Sequence, residues 1–167
     1  IVDRSGEDTD EEVVVPESML RGTQEIQHPF LPFDIVPVRY FSNTQMSQQP
    51  DAMGRRGMML PTVKELGKEF KNPADSGAGQ VYAALEAEKT SGTDVQQTED
   101  IPAAYVEFRD KDTPQSLGTY LLTSLLKDQA VEIGGKKYDV ALRYKRIHKP
   151  FSLRLDEVRK DDYLGTN

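Results

Sequence analysis

Residues 129–167 read QAVEIGGKKYDVALRYKRIHKPFSLRLDEVRKDDYLGTN, and the fold is decided there. Val131 and Ile133 lead into Gly134-Gly135, and Tyr138, Val140, Leu142 and Tyr144 leave it at every second position. Period-two apolar spacing on both sides of a Gly-Gly pair predicts a β-hairpin, because glycine adopts the positive φ that tight hairpin turns require. A second alternating run follows, with Phe151, Leu153 and Leu155 against Ser152, Arg154 and Asp156. Three successive strands with one apolar face predict an antiparallel sheet packed on one side.

The chain has 167 residues, enough for one domain with a core of its own. A net charge of −7 argues against a nucleic-acid binder, since phosphate contacts call for a basic surface. No apolar run approaches the ~20 residues that cross a bilayer as a helix, and no signal peptide is visible. Cysteine is absent, which removes disulfides, thiolate metal sites and thiol chemistry together. The first residue is Ile1, and the chain stops at a turn-like Gly165-Thr166-Asn167 where another strand would be expected. Both features lead to the expectation that the segment is cut from a longer protein.

Residues 1–12 carry six acids against Arg4 alone and read as a solvated, mobile lead-in to a single β-rich domain over 13–167. Val13-Val14-Val15 before Pro16 is a short strand candidate. Residues 30–41, FLPFDIVPVRYF, suit a strand, and Pro37 within it marks an edge or a bulge. Pro32-Phe33-Asp34-Ile35 also echoes Pro150-Phe151-Ser152-Leu153, either as a repeated strand opening or by coincidence. Residues 42–56 read as a polar loop, with Met46, Met53, Met58 and Met59 in or beside it. Methionine can ligate haem iron, but flexible thioethers covering an apolar patch are the simpler reading. Residues 60–70 read as a short helix, with Thr62 and Glu65 at capping-box spacing and Val63, Leu66 and Phe70 on one face; Gly67 weakens that reading, and a strand with irregular pairing is the alternative. Residues 72–79 are loop, and 90–99 polar linker. Residues 81–87 alternate like a strand, although their alanines and glutamates favour helix. Residues 103–109 predict a strand, and residues 117–126 a strand running into a turn. The expectation is therefore a mainly β fold, an antiparallel β-sandwich or open barrel with long loops and one or two short helices.

Several short motifs recur in a recognisable order. They are Ile101-Pro102-Ala103-Ala104-Tyr105-Val106, then Ser116-Leu117-Gly118-Thr119-Tyr120-Leu121, then Gly134-Gly135-Lys136-Lys137-Tyr138. Leu142-Arg143-Tyr144-Lys145-Arg146, Lys149-Pro150-Phe151-Ser152-Leu153 and Asp162-Tyr163-Leu164-Gly165-Thr166-Asn167 complete the series. Together they resemble the ResB family, membrane components of the system II cytochrome c biogenesis machinery. The likeness covers roughly the last two-fifths of the chain well and is weaker before it. It implies the extracytoplasmic (periplasmic) domain of a bacterial inner-membrane protein whose spans lie outside this segment, and it favours strand over helix at residues 81–87.

Candidates for chemistry are few. His28 and His148 are the only histidines. Neither matches a position where the resemblance implies a haem ligand, so no cofactor is expected in this segment, haem being handled by the wider complex. Hydrolase signatures such as Gly-x-Ser-x-Gly and His-Glu-x-x-His are missing, and the adjacent acids Asp156-Glu157 would point to opposite faces of a strand. No catalytic residue is expected. Arg143, Lys145, Arg146, His148 and Lys149 form a basic run on an acidic protein. It reads either as a contact surface for haem propionates or an anionic partner, or as a strand edge guarded by charge. The resemblance implies assistance in attaching haem to apocytochrome c, with a partner membrane subunit, the domain positioning its partners. The alternative is a structural or interaction β-domain of a cell-envelope protein with no role in haem handling.

Overall fold

The computed structural model describes residues 1–6, 9–49, 60–90, 99–113, 115–145, 150–152 and 154–157. Among the described residues nine strands stand in the order β1 (Val2–Asp3), β2 (Glu11–Glu12), β3 (Phe33–Phe41), β4 (Thr44–Gln48), β5 (Tyr82–Glu86), β6 (Ala103–Asp110), β7 (Ser116–Thr123), β8 (Gln129–Ile133) and β9 (Lys136–Val140). One helical turn, α1 (Glu17–Leu20), follows β2, and a 3-10 turn at Gly77–Gln80 precedes β5. The fold is mainly β, as the alternation predicts, with all the strand pairings antiparallel and no closed barrel among the described residues.

The centre of the fold is β6. It lies between β3 and β7 in a three-stranded sheet. Its even positions Ala104, Val106 and Phe108 join a cluster with Phe33, Ile35, Leu122 and, from the opposing sheet, Val131, Tyr138 and Val140. Phe33 stands edge-on to both Phe108 and Tyr138, with ring centres 5.2 and 5.3 Å away, so one aromatic side chain ties two sheets together. The odd positions Ala103 and Tyr105 pack instead with Phe41, Met46, Ala84 and Leu121, beneath the β4–β5 pair. β6 is thus covered on both faces, which is why AAYVEF reads as a nearly continuous apolar run.

The double-glycine hairpin forms as its spacing predicts. Gly134 and Gly135 have φ of 57° and 77°, and Ile133 pairs with Lys136 across them. Pro37 falls on the outer strand of its sheet, and the β3–β6 register slips between Pro37 and Arg39. Ile35 turns its amide and carbonyl outward to Ile26, so Pro37, two residues on, faces its missing donor toward the open edge.

Several expectations need correction. The strand ends at Val140, and the described residues of 150–157 form no strand, with Phe151 and Leu155 exposed. The position beside β9 is already held by β1, with Val2 opposite Asp139 and Asp3 opposite Tyr138, so a strand following the hairpin finds that place filled. Among the described residues, the echo between residues 32–35 and 150–153 therefore finds no second strand. Residues 1–6 and 9–12, read as a mobile lead-in, instead supply β1 and β2, and the Val13–Val15 strand candidate gives way to Glu11–Glu12. Val13 is buried in the core beyond that strand. Finally, the polar loop at 42–56 contains β4, whose Thr44, Met46, Ser47 and Gln48 are buried.

Between Leu60 and Phe70 the capping box forms, but the expected short helix does not; the residues there make a single turn. The Thr62 amide and hydroxyl donate to Glu65 Oε2 at 2.7 and 2.8 Å, and the Glu65 amide donates back to Thr62 Oγ1 at 3.3 Å. These bonds hold the Glu65 carboxyl below its ordinary range. Termination is immediate: Gly67 (φ 65°) donates to the Lys64 carbonyl and Lys68 to that of Val63, the paired bonds of a Schellman stop.

Candidate functional site

The basic run leaves the hairpin at the end of β9. Arg143 and Lys145 are exposed but lie on irregular chain, not on the solvent face of a continuing strand. Arg146, His148 and Lys149 lie outside the described residues. The Arg143 guanidinium meets the Asp128 carboxylate just before β8. Asp128 also lies 3.9 Å from Arg4, which makes a closer contact of 2.8 Å with Asp139 of β9. The Tyr144 hydroxyl donates to the Asp100 carbonyl at 2.9 Å. Arg143 and Tyr144 are therefore fastened to the body of the domain, whereas Lys145 stands in solvent without a polar partner among the described residues.

Beside Arg143 the two main sheets part into a cleft of about 130 Å³. Its walls combine apolar side chains, among them Ile35, Val106, Phe108, Leu122 and Val140, with the charged Glu12, Asp139 and Arg143. Small-molecule sites usually offer about 300 Å³ or more, so a porphyrin does not fit, and the cleft suits at most a short apolar group.

The other sequence candidates are scattered. His28 precedes β3, its ring edge-on to Phe30 at 5.4 Å, and its carbonyl receives Lys111 Nζ at 2.6 Å. Met46 is a core residue, while Met53, Met58 and Met59 lie outside the described residues. Among the described residues no group of three or more histidines and acids could hold a metal ion.

Two polar features escaped the sequence reading. Asp34 projects from β3 between Phe33 and Ile35 and is largely buried, with Lys111 Nζ 3.8 Å away and Gln27 Nε2 3.4 Å away. Burial, and then the neighbouring Glu25 carboxylate, push its pKa up. An acid inside FLPFDIV was the signal, and it is a weak one because alternation alone places it on the open face. The second is Tyr105, wholly buried, whose hydroxyl accepts from the Ala84 amide at 2.8 Å and donates to the Ala84 carbonyl at 3.1 Å. Burial lifts this phenol to about 12. No sequence signal marks it, since the partner is a backbone group 21 residues away.

No protein-family model, curated protein or solved structure matches this chain.

Proposed function

We propose that the chain is an extracytoplasmic domain segment of a ResB-like cytochrome c biogenesis protein. It positions partners, namely a membrane subunit and apocytochrome c, while haem is attached elsewhere in the complex. The observation that carries this reading is the double-glycine hairpin, after which Arg143 and Lys145, the described part of the basic run, are exposed on the surface of an acidic domain. A sheet with a charged segment at its end can offer a partner both backbone pairing and steering charge. The motif order given above supplies the family. In this reading the domain stands on the periplasmic side of the inner membrane, and haem is handled by the wider complex.

One observation favours the second reading, an interaction β-domain of a cell-envelope protein unconnected with haem. Arg143 is already neutralised by Asp128, which removes one cation from any surface offered to an anion. Binding of purified apocytochrome c, followed by fluorescence anisotropy at low and high salt, separates the two. The biogenesis reading expects saturable binding that weakens several-fold in Lys145→Glu and with added salt. No binding, or binding indifferent to both changes, refutes it. A haem titration that shifts the Soret band with the domain alone would refute the view that haem is handled elsewhere.

A further inference from the structure

Among the described residues, most of the long sheet edges carry a device that limits further pairing. Along β7, the Thr119 carbonyl receives the amides of Asp75 and Ser76, the Thr119 amide donates to Asp75 Oδ1, and Gln129 Nε2 donates to the Leu121 carbonyl. Along β5, Asn72 reaches the Tyr82 carbonyl, Tyr105 holds both backbone groups of Ala84, and Lys68 reaches the carbonyl of Glu86. The outer side of β4 meets Pro61, and that of β3 is interrupted by Ile26 and Pro37. Such measures are how sheets avoid unwanted strands.

No such device stands along β8 among the described residues. Because Ile133 and Lys136 flank a two-residue turn, Ile133, Val131 and Gln129 exchange hydrogen bonds with β9, and Ala130 and Glu132 turn their amides and carbonyls away from it. Among the described residues those four groups meet no partner. The inward side chains of the same strand, Val131 and Ile133, belong to or pack against the core, so an added strand would need apolar residues at every second position. One stretch of this chain has that pattern in sequence, Phe151-Ser152-Leu153-Arg154-Leu155, and its described residues belong to no sheet. Phe151 is 65% exposed and Leu155 78%, and the described residues around them form no strand.

We propose that the open edge of β8 receives residues 151–155 of a second copy, so that two chains join by exchanging a strand. The free amides and carbonyls of Ala130 and Glu132 supply the ladder, and Phe151 and Leu155 are covered beside Ile133. The lengths agree, with five residues in β8 and five in the alternating segment. This pairing does not depend on the haem reading.

Glu132→Pro removes only an outward donor and keeps the β8–β9 bonds, as edge proline does. Phe151→Ser with Leu155→Ser removes the apolar face of the segment. Light scattering on a sizing column, with far-UV circular dichroism to verify folding, reads the result. The wild type is expected to pass from monomer to dimer with rising concentration, and each variant to remain monomeric. An equimolar mixture of the two variants should regain one of the two junctions and dimerise, since one brings an intact segment and the other an intact edge. That rescue would be absent if β8 paired with β8. A wild type monomeric at all concentrations, a dimer unaffected by Glu132→Pro, or a mixture that stays monomeric overturns the proposal. Were Glu132→Pro to unfold the sheet, Ala130→Pro, which also lacks only an outward donor, takes its place in the same mixture.

Discussion

Removing one oxygen atom, by Tyr105→Phe, tests how the β4–β5 pair is fixed to the central sheet. The hydroxyl is the partner of both the amide and the carbonyl of Ala84, at 2.8 and 3.1 Å, and both residues have no measurable exposure. Phenylalanine keeps the ring packing against Phe41 and Phe70 but leaves two buried backbone groups unpaired. Each such group costs about 1–3 kcal/mol, and partial relaxation puts the sum at roughly 2–4 kcal/mol. That is a large share of the ~5–15 kcal/mol that holds a domain folded, and about 3 kcal/mol corresponds to a fall in Tm of roughly 6–12 °C at this size. Urea unfolding should show a lower midpoint at unchanged slope. Tyr120→Phe is the control, since the Tyr120 hydroxyl has no hydrogen-bond partner among the described residues, and it should shift stability by less than about 0.5 kcal/mol. Equal effects of the two substitutions would refute the account. A second signature lies in pH. The folded protein keeps the Tyr105 proton up to about 12, whereas the unfolded chain releases it near 10. Stability is therefore level with respect to this group below pH 10 and declines between 10 and about 12, and the difference between wild type and Tyr105→Phe should narrow across that window.

Two further substitutions probe other parts of the frame. Gly118 sits at φ 113°, and a Cβ there would meet Ser76 Oγ at 2.0 Å, so Gly118→Ala should cost at least about 2 kcal/mol by chemical denaturation. Adding Ser76→Gly should recover part of that loss, because the clash goes and the backbone strain stays; no recovery would mean that the clash contributes nothing. Asp34 has its pKa raised by burial and by Glu25, so its contribution to stability is greatest below the ordinary aspartate value and falls as pH rises through the folded one. Asp34→Asn should remove that slope and be at least as stable as wild type at pH 7, with Lys111 still held by the carbonyls of His28 and Leu31 at 2.6 and 2.8 Å. An Asn variant that loses ground to wild type between pH 4 and pH 7 would contradict the sign.

The local elements were legible because their causes are local. Gly134-Gly135 between alternating residues, Pro37 inside an apolar run, Gly67 after a capping box and the apolar stretch at 103–108 each act through backbone geometry or side-chain period, and each formed where its residues place it. The candidate site was legible only in part, as a basic run of known position. That Arg143 would find Asp128 depends on how the chain turns after Val140, and period says nothing of that.

What the amino acids determined alone is the class of fold, since strand period and turn chemistry are properties of neighbouring residues. Which strand lies beside which was decided by tertiary structure. Val2–Asp3 took the place at β9 that alternation assigns to the residues after the hairpin, and TQMSQ, polar enough to read as loop, became a buried strand because Tyr105 and Pro61 meet the outer edges of the β4–β5 pair. An edge accepts whichever segment satisfies its backbone groups and covers its apolar face, and that competition runs over the whole chain, beyond the reach of any local pattern.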